Sequence, residues 1–436
     1  MKSVRVYPYR WIVLIALMAV IMASEIQWLV LAPISRAATN FYATQIPHDS
    51  LVGPDLLTLI HLVVFIFFSI PASLIIDKVG LKWTLRSGAI LLALFSIIKG
   101  LAASSFWVVL SSQVGLSVAY ALILNSVTLV TARWFPLRER GFATGLVALA
   151  QYLGLFLVMI ISPQAIVNNP ALPTYGEGIP SLLFWLGIVT ATIAVAVLFF
   201  FKEKPPTPAS LEPFEIESFM ASFKLLLRKK NMGGFIFIFG LMWGLFNAFI
   251  AKIDSLAAFI GIQNSNGIVG VILIGGGLLG SLVIPTLSDY FRKRKLFFFI
   301  CMVGILLGFL VFAFMPILVT AFAKPAIFGF IAAGVLGFFF QSAIPLGYQY
   351  ASELSYPVKE ASSQAVLLMN GHFAGLVILY FMTVQGGVFL GHVLIASVAL
   401  LFAATLAVLF IKESPIIITE DERLRAAIEK EAVHQR

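Results

Sequence analysis

Two stretches decide how this chain folds: Ser73-Leu-Ile-Ile-Asp77-Lys78-Val-Gly80-Leu-Lys82 and Pro285-Thr-Leu-Ser-Asp289-Tyr-Phe-Arg292-Lys293-Arg294-Lys295. Each sets an aspartate and a group of basic residues directly after a long apolar run. A second pair of loops repeats in the same way two runs later, Trp134-Phe135-Pro136-Leu-Arg138-Glu139 against Ser355-Tyr356-Pro357-Val-Lys359-Glu360. Two unrelated patterns that recur at corresponding places divide the chain into two sequence-related halves. A parallel repeat of this kind implies a pseudo-two-fold axis along the membrane normal.

Composition says what surrounds those loops. Hydrophobic residues make up 60% of the 436 and charged residues only 11%, with a mean hydropathy of +1.01. A soluble domain carries roughly a quarter charged residues, so lipid must be the solvent for most of this chain. A spanning helix needs roughly 20 mostly apolar residues. Twelve such runs are predicted, at about 11–34, 55–76, 84–103, 106–132, 142–162 and 180–201, then about 233–258, 267–287, 296–320, 325–350, 362–384 and 388–411. The expected organisation is therefore a six-helix half over 1–201, a cytoplasmic linker over 202–232, a second six-helix half over 233–411 and a charged tail over 412–436. The expected fold class is an all-α membrane protein.

The net charge of +9 is a topology signal. All but four of the 29 lysines and arginines (Arg36, Lys99, Lys252 and Lys324) fall in the N-terminus, the even-numbered loops, the linker or the tail. The positive-inside rule then puts both termini in the cytoplasm, and a nucleic-acid partner is not expected. The first run has no small-residue cleavage pattern and is long enough to span. The short termini suggest the inner membrane of a prokaryote. The single cysteine, Cys301, excludes an intrachain disulfide and suggests no metal cluster. Phosphate loops, Cys/His metal spacings and nucleophile elbows are not found. No enzyme activity, metal or cofactor is expected, and a monomer is the expected state. The glycines Gly275, Gly276, Gly277 and Gly280 read as a close helix-packing surface.

Polar residues at membrane depth cost free energy unless they face the bundle interior or a wet path, so they mark the candidate site. The first run carries Glu25, Gln27 and Trp28, with Glu25 and Trp28 on one face. The second carries His61. The fourth offers Tyr120 and Asn125, and the fifth Gln151 and Tyr152. The seventh is richest, with Trp243, Asn247 and Asp254 near one stripe and Lys252 off it. Gln341 lies on the tenth run beside a mid-helix proline, Pro345, and His372 lies near mid-depth on the eleventh. Lys252 or Asp254 is expected to pair with Glu25 or His61 across the halves as an outer gate. Asp77 and Asp289, in the repeated loops, join His61, Lys252 and Asp254 as candidates for coupling or gating.

The architecture resembles the major facilitator superfamily. Its loop signature Gly-x-x-x-Asp-(Arg/Lys)-x-Gly-(Arg/Lys)-(Arg/Lys) is matched by Asp77, Lys78, Gly80 and Lys82, with Ser73 replacing the leading glycine. A closer resemblance, to the haem- and choline-transporter family named for the feline leukaemia virus subgroup C receptor (solute carrier family 49), rests on further residues. These are Tyr9-Arg10-Trp11, Gln27-Trp28, Lys99, Trp134-Phe135, Gly334-Val-Leu-Gly337-Phe-Phe-Phe, Pro345-Leu-Gly347-Tyr and Ser352-Glu353-Leu-Ser-Tyr356-Pro357. That resemblance implies an aromatic cage for a quaternary ammonium, of which Trp28 matches one wall. The second wall falls on Asn247, and two glutamines fall on or beside Tyr152 and on His372. Glu25 is an addition. The resulting pocket suits a small organic cation or polar solute, with a proton as an optional coupling ion. The rivals are a proton-coupled drug or metabolite antiporter, a haem or vitamin transporter and a non-transporting receptor. The antiporter signature Gly-x-x-x-Gly-Pro-x-x-Gly-Gly is not present on the fifth run.

Overall fold

The computed structural model describes residues 6–47, 51–207, 225–226, 228–229, 232–262, 267–318, 325–355 and 360–414. Lys324, most of the linker and tail, and the Tyr356–Lys359 loop lie outside the described residues. The structure is all helical, with twelve helices long and apolar enough to cross a membrane and no β-strand among the described residues. The first six spans are α1 (Arg10–Leu29) with the short α2 (Ser35–Phe41), α3 (Pro54–Val79), α4 (Leu81–Leu101), α5 (Phe106–Trp134), α6 (Leu137–Gln164) and α7 (Ile179–Phe200). The last six are α8 (Met232–Ala251) with the short α9 (Ile253–Phe259), α10 (Ile268–Phe291), α11 (Arg294–Leu318), α12 (Pro325–Ser355), α13 (Glu360–Thr383) and α14 (Leu390–Val408). One end of the bundle, the basic face, carries the two Asp-containing repeats; the other is the opposite face.

Two spans expected to be continuous are broken near the opposite face, at matching places in the two halves. The first span leaves helical pairing after Leu29 and passes through a 3-10 turn at Ala32–Ile34 before α2 begins. Pro33 sits in that turn, and a proline has no N–H to continue an α-helical ladder. The seventh span breaks at Lys252, whose φ of −103° and ψ of 18° lie outside the helical region. Both breaks deliver charged residues (Arg36, Lys252 and Asp254) to the seam between the halves.

The repeated loops turn by different means. Gly80 ends α3 and starts α4 at φ 92°, ψ 157°, a conformation that needs glycine, and its N–H caps the Ile76 carbonyl. At the corresponding place after α10, Arg292 adopts the left-handed region at φ 53°, which costs a non-glycine residue of order 1 kcal/mol. The glycine surface on α10 is a packing surface, as expected. A side-chain carbon at Gly276 or Gly280 would run into the backbone of α12 at Gly334 or Phe338, and one at Gly337 of α12 would strike Leu273 of α10. Backbone meets backbone along this pair.

The apolar core is asymmetric. One large cluster runs through the last six spans and continues into the opposite-face ends of the first six, taking in Leu29, Ile34, Leu62, Phe106, Met159 and Leu183. A second cluster, including Val13, Leu17, Leu85, Ile123, Trp134 and Val197, fills the basic-face ends of the first six spans and contains no residue of the last six. The halves thus share one core on the opposite side, while the first half keeps its own core on the basic side.

Candidate functional site

The close approach of α6 to α1 sets the first part of the site. Gly154 of α6 lies against the Met22 carbonyl and Glu25 Cβ, which brings Gln151, one turn earlier, beside the Glu25 carboxylate. Tyr120 Oη donates to Glu25 Oε1 at 2.7 Å and Gln151 Nε2 donates to the same oxygen at 3.0 Å. Glu25 Oε2 is buried without a hydrogen-bond partner, and no basic side chain pairs with Glu25 among the described residues. A buried carboxylate with only neutral donors is an expensive arrangement in a membrane protein, and such residues mark functional sites.

A series of rings leads from this carboxylate across the seam. Trp28 stacks on His61 with centroids 4.8 Å apart, and His61 meets the Tyr120 ring, also at 4.8 Å. Tyr120 contacts Phe65 at 5.7 Å. Phe65 of α3 then stacks on His372 of α13 at 4.4 Å, and His372 lies 6.4 Å from Trp243 of α8. Residues of α1, α3, α5, α8 and α13 are joined in one line that crosses between the halves at Phe65 and His372. His372 Nδ1 lies 2.7 Å from the Leu368 carbonyl. Because a carbonyl only accepts, Nδ1 carries a proton. Gly371 makes room for Trp243, since a side-chain carbon there would enter the indole.

The other expected residues divide. Asn247, one turn beyond Trp243, is buried with Nδ2 unpartnered, and the Trp28 and Trp243 indole nitrogens are likewise buried and unpartnered. Gln341 is fully buried with neither polar atom partnered, in space left by Gly277. Tyr152 is half-buried against the shared core. Two residues belong elsewhere. Asn125 ties α5 to α3, donating to the Ala121 carbonyl at 2.7 Å and to Ser69 Oγ at 3.1 Å. Gln27 points away from the rings and donates to Thr190 Oγ1 of α7 at 3.0 Å, because the residue before Trp28 lies about 100° around the helix from it.

The cross-half charges pair at the opposite face, but with other partners than expected. Lys252 Nζ donates to Asp55 Oδ2 at 2.5 Å, not to Glu25 or His61. Asp254 accepts from the Arg36 backbone N–H and guanidinium, both at 2.8 Å. The reason is depth: Glu25 and His61 lie further into the bundle, whereas the broken ends of spans 1 and 7 meet the start of α3 at the surface. Sequence alone does not reveal Asp55 as a partner, since an acidic residue in the first turn of a helix is favourable whatever it pairs with. Phe65 and Gln151 are further members that single-residue reading passes over or leaves open, an ordinary phenylalanine and one of two adjacent polar residues. At the basic face Asp289 pairs with Arg294 at 2.5 Å, and Arg294 also reaches Glu353 at 3.1 Å. Asp77 is placed in α3 by its backbone; its side chain lies outside the described atoms.

Residues 11–379 match the family described as the Major Facilitator Superfamily. Among curated proteins, the chain is 26% identical over 306 residues to choline/ethanolamine transporter flvcr2a of Danio rerio, covering 67% of this chain and 64% of that protein. It is 25% identical over 334 residues to choline/ethanolamine transporter FLVCR1 of Mus musculus, covering 70% and 58%. It is 26% identical over 304 residues to solute carrier family 49 member A3 of Xenopus tropicalis, covering 67% and 61%. The chain therefore spans less than two thirds of the length of these relatives. Among solved structures, it superposes with a TM-score of 0.69 at 16% identity on a bacterial homologue of the human lysosomal transporter Spinster, inward-facing and unoccupied, covering 93% of this chain and 97% of that one. A D-xylose-proton symporter gives 0.67 at 14% identity, covering 92% and 97%. These likenesses show the twelve-helix major facilitator fold.

Proposed function

The chain belongs to the Major Facilitator Superfamily, and on that premise we propose that it carries a small organic cation across the membrane by alternating access, as a facilitative or secondary active transporter. One observation carries this reading. A buried carboxylate without a basic partner, Glu25, stands beside a ring series that crosses the seam between the halves at Phe65 and His372. A cationic solute would offset the cost of burying that charge, and aromatic faces attract a cation by about 0.5–2 kcal/mol each. The names of the curated relatives make choline and ethanolamine the first compounds to try.

The positive-inside pattern supports a cytoplasmic basic face, and the shared core at the opposite face then supports an inward-facing arrangement. The unit is a monomer in a cell membrane. Glu25 and His372, joined by Asp254 at the seam, are the groups through which a proton would couple, in which case an uncoupler abolishes concentrative uptake.

The test is uptake and thermal-shift measurement on purified protein in proteoliposomes with choline, ethanolamine and other amines, with and without a pH gradient. An amine that stabilises the wild type is expected to lose at least tenfold in affinity in Trp28→Ala and in Glu25→Gln, and several-fold in His372→Ala. Unchanged affinity in all three overturns the site.

A further inference from the structure

The first half contains a buried charge that the solute site does not use. Lys99 of α4 is 1% exposed. Its ammonium donates to the Gln27 carbonyl and to Gln113 Oε1, each at 2.9 Å, and among the described residues it has no carboxylate partner. A cation in such a place is costly and needs a reason. Its two acceptors supply one.

Gln27 is followed directly by Trp28. Gln113, through its backbone carbonyl, accepts the Ser117 hydroxyl at 2.6 Å, and Ser117 Oγ lies 3.1 Å from His61 Nδ1. His61 in turn stacks on Trp28 with 23° between the ring planes. The contacts form a closed ring: Lys99, Gln27, Trp28, His61, Ser117, Gln113 and back to Lys99. The ring also fixes a proton. The single Ser117 hydrogen goes to the Gln113 carbonyl, so His61 Nδ1 must donate to Ser117.

We propose that Lys99 is a positioning residue for the solute wall: its ammonium clamps the α1 carbonyl before Trp28 to α5 at Gln113, and so holds Trp28 against His61 in its Nδ1–H form. This inference rests on the reading of the rings as the solute site. A strongly charged donor suits the task because hydrogen bonds to a charged group are about twice as strong as neutral ones. One ammonium, with three donors, also reaches two helices at once.

The experiment labels the protein with 5-fluorotryptophan, giving one ¹⁹F signal for each of its 7 tryptophans. Trp28→Phe and Trp243→Phe assign the two of interest. Lys99→Met and Ser117→Ala, which break the ring at separate points, are each expected to move the Trp28 signal and leave that of Trp243 in place. Ser397→Ala, removing a buried hydroxyl that bonds only within α14, is expected to move neither. With choline and ethanolamine as probes, each ring variant raises the dissociation constant of whichever binds by tenfold or more. The double variant raises it little beyond Lys99→Met alone, because both act through one ring. Ser117→Ala removes a single oxygen and keeps the test open should Lys99→Met fail to fold. A Trp28 signal unmoved by either variant, or fully multiplicative losses, overturns the inference. If Trp28→Ala itself leaves probe binding intact, the solute reading fails instead, and the ¹⁹F signals alone decide the positioning role.

Discussion

The two faces of the bundle use the same kind of charge for different ends. On the opposite face the ion pairs cross the seam: Lys252 with Asp55 and Arg36 with Asp254 join residues 197 and 218 positions apart in the chain. On the basic face the pairs seen among the described residues, Arg10–Glu139, Arg133–Glu203, Arg294–Asp289 and Arg294–Glu353, each stay on one side of it. The apolar cores follow the same division, shared on one face and separate on the other. Where charges bridge the halves, they favour one relative placement of two bodies. Where they stay within a half, they shape that body and are indifferent to its partner.

Charge reversal at the seam is the strongest way to break this contrast. Lys252→Glu sets two carboxylates together at a position where the lysine side chain is 5% exposed, and breaking a buried pair costs roughly 3–5 kcal/mol. The expected result is a lower melting temperature and a longer, broader distance between spin labels at Thr44 and Val388, exposed positions on opposite sides of the seam. Adding Asp55→Lys should restore both; a distance that never changes would mean the shared apolar core closes this face unaided. Asp254→Asn should do less. The amide can still accept from the Arg36 backbone, and the Arg36 side chain is 28% exposed, so a loss of about 1–2 kcal/mol is expected, read as a modest broadening between the same labels. Smallest is Asp289→Asn on the basic face, which leaves Arg294 its contact with Glu353. Asp289 is 56% exposed, and pairs of that kind contribute about 1 kcal/mol or less. Melting should fall slightly while the Thr44–Val388 distance stays as in the wild type. If that distance shifts, the basic-face pairs are not confined in their effect to one half.

Much of this architecture is legible in the sequence. Hydropathy alone gave twelve spans because lipid imposes the same length on every crossing segment. Glu25, Trp28, Tyr120, Trp243 and His372 stood out because polar or amphipathic groups at depth are few, and the structure joins all five through Phe65 and His61. What escaped was pairing. Periodicity tells which side of a helix a residue faces and nothing of what it faces, so neither Asp55 nor Arg36 is legible as half of a pair across the seam. The breaks in spans 1 and 7 are marked only by Pro33 and by Lys252 with Asp254, which a hydropathy average over a whole span smooths out. Gln27 and Asn125 went astray for the converse reason: both are polar at depth, and both are absorbed in bonds between neighbouring helices of one half.

The bare contact between α10 and α12 has a mechanical consequence. With glycine backbones touching at Gly276, Gly280 and Gly337, no layer of flexible side chains lies between the two helices to absorb shear. Close-packed interiors transmit strain rather than damp it. This pair is the stiff beam of the second half, along which a tilt begun at one end of α10 would be carried to the other with little loss.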